Sequence, residues 1–270
     1  NQVDVVFNML ERPHRTQSIG FGYSSEEKLR LSFGWEHRNW RGNGKKLKTD
    51  FKVSQLNNQL TGSLVIPQYK RKNLNLLLDG EVIDTHVNAF DALTATTAAT
   101  LDFNPKRRWK STIGIETAYS KVETFSEDET FRLISLPLFL QYNTSNDLLN
   151  PNKGFVWNAK LQPFTDLSKQ DIQFTQLSTN FKYYLTPEWA KKRLVFAQKF
   201  VLGTIYGEEV KDIPADQRFY SGGGGSIRGF EFQSISPTEG SEIIGGLSFV
   251  EIATEFRLQL SQNWGASLFF

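Results

Sequence analysis

Apolar and polar residues alternate along most of this chain, and this period of two leaves few folds open. The clearest case is the run 247–260, in which one alternate set is apolar and the other contains acids and bases. Successive side chains of a β-strand point to opposite faces, so the run predicts a strand with one apolar and one polar face. Glu251, Glu255 and Arg257 fall on the polar face.

The same alternation recurs through the chain, for example in residues 28–38 and 154–162. No helical period of ordinary length separates these runs. Counting them predicts about thirteen strands, near 16–23, 28–40, 46–56, 58–66, 73–84, 91–103, 108–122, 130–143, 154–164, 172–185, 193–206, 245–260 and 263–270.

Strands of this kind fit a barrel whose interior contains water and whose outer surface contacts lipid. The chain has no run of about eighteen apolar residues, the length that a membrane-spanning helix needs. A barrel strand needs only about ten residues, of which every second one is apolar. Aromatic residues make up 13% of the chain, which is high for an ordinary soluble domain and fits a membrane barrel. The sequence therefore predicts an all-β protein, a transmembrane antiparallel up-and-down β-barrel.

The connections between the predicted strands alternate in charge. One set is basic and often contains proline, at 67–72, 104–108, 150–154 and 186–193. The other set is mostly acidic, at 26–27, 84–91, 127–129, 166–171 and 208–209. An up-and-down meander places alternate turns at opposite ends, so the two sets predict a basic and an acidic rim. The basic rim is predicted to be periplasmic, because the one long connection belongs to the acidic set and long loops are usually extracellular.

That long connection, 207–244, contains four consecutive glycines. Glycine permits backbone conformations that other residues avoid, so such a segment suits a loop folded into a confined space. A flexible surface linker is the alternative. The apolar residues Ile227, Phe230 and Phe232 follow directly, and a solvated linker would not need them.

No catalytic, metal or nucleic-acid site is predicted. The 31 Lys and Arg nearly balance the 29 Asp and Glu, so no basic surface for nucleic acid is indicated. There is no cysteine, and the three histidines, His14, His37 and His86, are isolated from one another in the sequence. The carboxylate pairs lie in loop runs. We therefore expect neither an enzyme nor a bound cofactor.

Four motifs in order carry a family resemblance. Residues 214–237, with the tetrad Ile227-Arg-Gly-Phe230 and the continuation Ser234-Ile-Ser-Pro237, resemble the sixth extracellular loop of TamA-type proteins in the BamA/TamA superfamily. Residues 39–44 and 150–155 resemble two turns of that superfamily, and residues 3–12 resemble the last strand of a POTRA domain.

The resemblance implies a domain organisation. Residues 1–13 would end a periplasmic POTRA domain, and residues 14–270 would form the barrel, with loop 207–244 folded into its lumen. Barrels of this family have about sixteen strands, so the thirteen predicted here suggest a processed or truncated chain.

The resemblance also assigns site residues. The loop motif comprises Gly222, Gly223, Gly224, Gly225, Ile227, Arg228, Gly229 and Phe230. In the family the loop arginine meets an acid on the twelfth strand, which implies Glu255 as the partner of Arg228. Glu251, on the same face, is the alternative partner. An arginine solvated in an outer loop is the other reading.

The function implied is that of an outer-membrane insertase or translocase for autotransporter-type β-barrel substrates, working among membrane lipids with a TamB-like inner-membrane-anchored partner. A lateral seam beside the first strand would receive the substrate, and Gly20 and Gly22 would weaken side-chain packing there. Glycines that accommodate a bend or the inward loop are an equal alternative. Two further functions stay open: a two-partner secretion pore and the membrane barrel of a fused lipase-type enzyme.

Overall fold

The computed structural model describes residues 13–125, 127–168, 172–190 and 193–270. The predicted POTRA strand at 3–12 lies outside them. Within the described residues, no helix is long and apolar enough to cross a membrane. The strands are β1 (Arg15–Ser24), β2 (Lys28–His37), β3 (Lys46–Val53), β4 (Asn57–Ile66), β5 (Leu74–Val87), β6 (Phe90–Lys106), β7 (Trp109–Glu123), β8 (Asp128–Ser135), β9 (Leu138–Asn143), β10 (Gly154–Asp166), β11 (Gln173–Leu185), β12 (Leu194–Tyr206), β13 (Thr238–Glu239), β14 (Glu242–Ile243), β15 (Ser248–Gln259) and β16 (Gly265–Phe269).

The strands form one antiparallel meander. Neighbours in chain order pair from β1 to β8 and from β9 to β12, β8 also pairs with β10, β9 also pairs with β7, and β15 and β16 complete the 14-stranded sheet. The two-residue strands β13 and β14 form a separate hairpin inside the long connection. Short 3-10 turns lie at Glu188–Ala190, Val210–Asp212 and Ala215–Gln217. Each of the thirteen predicted strands has its counterpart in the sheet, so the predicted up-and-down all-β fold is confirmed.

One predicted strand is interrupted. Residues 130–143 were expected to form a single strand, but Leu136 and Pro137 separate β8 from β9. Proline has no backbone N–H to donate, so it cannot continue the hydrogen-bond ladder. Both halves still pair with β7 and β10, and together they occupy one place in the sheet.

The alternation separates two faces as predicted. Val250 and Ile252 of β15 are 67% and 60% exposed, whereas Glu251 between them is 8% exposed. The same holds on β10, where Leu161 is exposed and Gln162 is buried. An exposed apolar face and a buried polar face are the arrangement of a strand between lipid and lumen.

A compact core lies on the inner face near the acidic turns. Phe164 and Phe174 stack there with ring centroids 4.6 Å apart. Ile213 and Ala215 of the long connection are buried in the same cluster, which also contains Ala92, Val122, Phe131, Leu133 and Ile205. Residues from six strands thus enclose part of the long connection.

The sheet has two edges among its described strands. β1 pairs with β2 and β16 pairs with β15, each through one side. The outward side chains of β1 are among the most exposed apolar groups, with Ile19, Phe21 and Tyr23 at 72%, 79% and 77%.

Candidate functional site

The connection between β12 and β15 folds into the space that the sheet surrounds. Asp216 accepts hydrogen bonds from Thr94 of β6 (3.2 Å) and Ser120 of β7 (2.9 Å). On another side, Gln176 of β11 donates to the carbonyl of Gln217 at 3.2 Å. Because one segment contacts strands that lie far apart in the sheet order, the sheet curls around it. The loop is therefore an internal element of the barrel.

Burial dominates the electrostatics of the first half of the loop. It raises the pKa of the Asp216 carboxyl, against the opposing effect of the hydrogen bonds from Ser120 and Thr94. It also raises the pKa of Tyr220 to about 12. Desolvation lowers the pKa of Arg218, whose guanidinium donates to the carbonyls of Ile213 (2.8 Å) and Ile244 (3.0 Å). Arg218 thus holds the two ends of the loop together.

The serines that flank the glycine run bind the wall of β15. Ser221 donates to the Oε1 of Glu251 at 2.7 Å, and Ser226 donates to the same oxygen. The backbone N–H of Gly222 donates to the Ser226 hydroxyl at 3.2 Å. Glu251, which the alternation placed inward, therefore anchors the glycine segment directly.

The glycine run reaches the other end of the sheet. The backbone N–H of Gly224 donates to the Oε1 of Glu26, in the turn between β1 and β2. Gly223 has a positive φ of 98°, and a Cβ there would lie 2.7 Å from the same oxygen. The loop tip thus bridges β15 to the first hairpin, and its close approach requires glycine.

Arg228 and Glu255 line the same cavity but have different partners in this structure. The Arg228 guanidinium lies over the Phe269 ring, 4.1 Å from its centroid. Glu255 instead accepts a hydrogen bond from Arg257 at 2.8 Å, two residues along the same face. Among the described residues no ion pair joins Arg228 to Glu255 or Glu251, so an acidic partner for Arg228 stays a prediction.

The cavity at the loop tip has a volume of about 420 Å³. Its lining mixes charges of both signs with aromatic rings: Lys182, Lys199, Arg228, Glu251, Glu255, Arg257, Phe269 and Phe270. Among the residues described, no group of three or more side chains could hold a metal ion.

Of the remaining motif residues, Gly225 and Ile227 line this cavity, whereas Gly229 and Phe230 lie outside it. Phe230 is 57% exposed, so it does not anchor the loop in the lumen.

Gly20 and Gly22 lie on β1 opposite inward side chains of β2. A Cβ at Gly20 would lie 2.5 Å from the Ser32 hydroxyl oxygen, and one at Gly22 would lie 3.2 Å from the Arg30 guanidinium. Both glycines therefore make room for β2 side chains, and a part in a bend or in packing of the inward loop stays a prediction. Their part in a seam stays a prediction.

Three contact residues were not identified from the sequence. Asp216 and Glu26 meet partners that are 96 and 198 residues away, and no local pattern marks such a pair. Phe269 belongs to the predicted last strand, but nothing in the sequence aligns it with Arg228. The pairing of Arg257 with Glu255 could have been predicted from the sequence, because both residues were placed on the same face of the strand, two positions apart.

Solved structures share this fold. A BamA from Haemophilus ducreyi lacking POTRA domains 1–3 superposes with a TM-score of 0.85 at 21% identity, over 96% of this chain and 57% of that one. CdiB from Escherichia coli gives 0.57 at 12% identity, over 97% and 52%. CdiB from Acinetobacter baumannii gives 0.55 at 12%, over 94% and 48%. The chain thus spans about half the length of the structures that it matches.

The sequence comparison agrees with the fold. Residues 39–270, from the turn after β2 through β16 and the inward loop, match the Omp85 superfamily domain. Since this match covers far more than half of the chain, the protein belongs to the Omp85 superfamily.

Proposed function

We propose that this barrel inserts or translocates polypeptides at the outer membrane by pairing an incoming β-strand with β1, on the side that faces away from β2. The feature that supports the proposal is the first strand itself, with Gly20 and Gly22 among its residues and bulky apolar groups on its outer face. Among the described strands β1 has one partner, β2, along its whole length from Arg15 to Ser24. Its outward side chains Ile19, Phe21 and Tyr23 are also highly exposed.

An unpaired edge in a bilayer is chemically unsatisfied. Each free N–H or C=O in hydrocarbon costs several kcal/mol, of order 2–7, when it has no hydrogen-bond partner. An unfolded substrate that presents an extended segment satisfies both chains at once by adding a strand. Such exchange needs no nucleotide or cofactor, because the ladder formed supplies the free energy.

The position of the loop favours the edge over the lumen as the path. Ile213 and Ala215 are buried inside the barrel, and the loop tip is bound to both Glu251 and Glu26. Transport through the lumen, as in a two-partner secretion pore, would have to break these contacts. Strand addition at β1 leaves them in place.

The finer assignment follows the loop. Residues 214–237 resemble the TamA type, which supports autotransporter-type substrates, a periplasmic POTRA region before the barrel and a TamB-like partner. The likeness to BamA supports the barrel architecture and leaves the TamA assignment as a proposal. A fused lipase-type protein has no supporting feature in the described residues.

A disulfide lock tests the proposed path. One cysteine would be placed on β1, at Phe21, and the other on the last strand of the full-length protein, so that oxidation closes the edge. We expect the oxidised protein to stop assembling an autotransporter substrate in reconstituted liposomes, and reduction to restore assembly.

A matched control places two cysteines on β1 and β2, at the paired positions Phe21 and Leu31, where no edge is closed. This control should remain active when oxidised. Full assembly by the edge-locked protein would contradict strand addition at β1 and would favour passage through the lumen.

A further inference from the structure

A basic pocket lies at one turn of the predicted periplasmic rim. The turn between β6 and β7 presents Lys106, Arg107 and Arg108 around a cavity of about 380 Å³. Its other walls are the rings of Trp109 and Tyr142, whose centroids are 4.5 Å apart. Among the described residues no ion pair involves the three basic side chains. Their charge is therefore available to an external anion.

An apolar groove begins next to this pocket on the outer face of the barrel. Its volume is about 490 Å³, within the range of about 300–1,000 Å³ that is usual for small-molecule sites. It is lined mainly by outward apolar side chains, among them Leu101, Phe103, Ile113, Leu138, Leu140 and Leu161, and Thr112, Phe139 and Lys160 of the alternate set also border it.

The strand register explains both the groove and its junction with the pocket. Trp109 of β7 pairs with Tyr142 of β9. Two residues further along, on the same face of the sheet, Ser111 pairs with Leu140. Leu140 pairs in turn with Ala159. The small side chains Ser111 and Ala159 form the floor between larger neighbours. The groove therefore opens directly beneath the aromatic pair.

The pocket is basic and the groove is apolar. These properties match the charged headgroup and the apolar acyl chains of an anionic phospholipid. A cluster of basic residues at a membrane surface attracts anionic headgroups by about 1 kcal/mol per residue. Tryptophan and tyrosine lie at the level of the headgroups, where one end of the ring is wet. The groove below them is lined by apolar side chains and faces hydrocarbon.

We infer that this pocket and groove form a binding site for one anionic phospholipid of the periplasmic leaflet. The phosphate and headgroup would lie between Arg107 and Arg108, and an acyl chain would lie over Ser111 and Ala159. The inference uses the predicted orientation of the basic rim and is independent of the insertion mechanism.

Native mass spectrometry of the purified full-length protein tests the site. The protein in detergent would be titrated with palmitoyl-oleoyl phosphatidylglycerol or, separately, with the matching phosphatidylcholine. We expect one tightly retained phosphatidylglycerol. The double variant Arg107→Gln/Arg108→Gln should bind it about 25-fold more weakly, about fivefold per charge, which corresponds to about 1 kcal/mol for each residue.

Two further variants distinguish binding at this site from nonspecific attraction of anionic lipid to the basic rim. Arg71→Gln/Lys72→Gln removes two exposed charges from the neighbouring basic turn and should leave retention unchanged, because that turn borders neither cavity. Ala159→Phe fills the groove and keeps every charge. It should weaken binding about fourfold for each methylene displaced, or about 0.8 kcal/mol.

Heat-modifiability would verify that each variant is folded. Equal retention of phosphatidylcholine, equal losses in the two charge variants, or unchanged binding by Ala159→Phe would each overturn the inference.

Discussion

Single polar side chains hold the loop in the lumen, and each of them meets a different part of the wall. Asp216 binds β6 and β7, Ser221 and Ser226 bind Glu251, and Gly224 binds Glu26 through its backbone. Hydrogen bonds of this kind contribute about 0.5–1.5 kcal/mol each, and up to about 3 kcal/mol where the carboxylate is charged and shielded from water. A few such contacts can therefore fix a long connection.

Asp216 makes loop docking sensitive to pH. Burial raises its pKa above the unfolded value of about 3.9. Its contribution to stability is thus complete below that value and is lost as the pH rises through the folded pKa. We expect the thermal midpoint of heat-modifiability to fall with rising pH in the wild type and to fall less in Asp216→Asn. The asparagine keeps an oxygen that accepts from Ser120.

The difference between the two pH profiles isolates Asp216 from other titrating groups. Parallel profiles from pH 4 to 8 would contradict the contribution assigned to this carboxyl.

Arg228→Ala removes the guanidinium that lies over Phe269. A cation–π contact contributes about 0.5–2 kcal/mol, depending on how far it is desolvated. We expect a lower midpoint of heat-modifiability and slower substrate assembly. Arg41→Ala is the matched control, because Arg41 lies over Trp40 at 5.9 Å in the turn after β2, remote from the loop. If Arg228→Ala behaved like this control in both assays, Arg228 would have no role in the loop.

At the level of the element, the glycine run decides how closely the loop approaches the first hairpin. Gly223→Ala introduces a Cβ against Glu26 at a positive φ, a strain of about 1–3 kcal/mol. Gly225→Ala, where a Cβ meets nothing within 4 Å, is its control. We expect trypsin to cleave at Arg228 at least about fivefold faster in Gly223→Ala, and at the wild-type rate in Gly225→Ala. Equal rates in the two variants would show that the approach to Glu26 does not restrain the loop.

The strands and the position of the loop could be predicted because both depend on local signals. The period of two placed Glu251 and Glu255 inward, and the long glycine-rich stretch marked the connection between β12 and β15. Pro137 was also a local signal. It explains why the structure has two strands, β8 and β9, where the sequence analysis predicted one. The partners of Asp216 and Arg228 depend instead on how the sheet curls, which no window of sequence contains.

At the level of the whole molecule, the chain is an Omp85 barrel and hence an outer-membrane protein. Its outer face is mainly apolar, its inner face is polar apart from the core around Phe164 and Phe174, and the loop links β15 to the hairpin of β1 and β2. The loop contacts and β1 lie at different places in the barrel, so the proposed strand addition at β1 would leave the loop contacts unchanged.

The edge of β1 is tested most directly by trapping a substrate on it. Phe21→Cys in the full-length protein places a thiol on the edge strand, and Phe33→Cys places one on β2, which is paired on both sides. Both side chains point outward and both are exposed. A substrate with cysteines along its last strand would be stalled during assembly and then oxidised.

Strand addition predicts mixed disulfides between the substrate and Phe21→Cys, at substrate positions two residues apart, and none with Phe33→Cys. Disulfides of equal yield at both positions, or none at Phe21→Cys while assembly proceeds, would contradict the account.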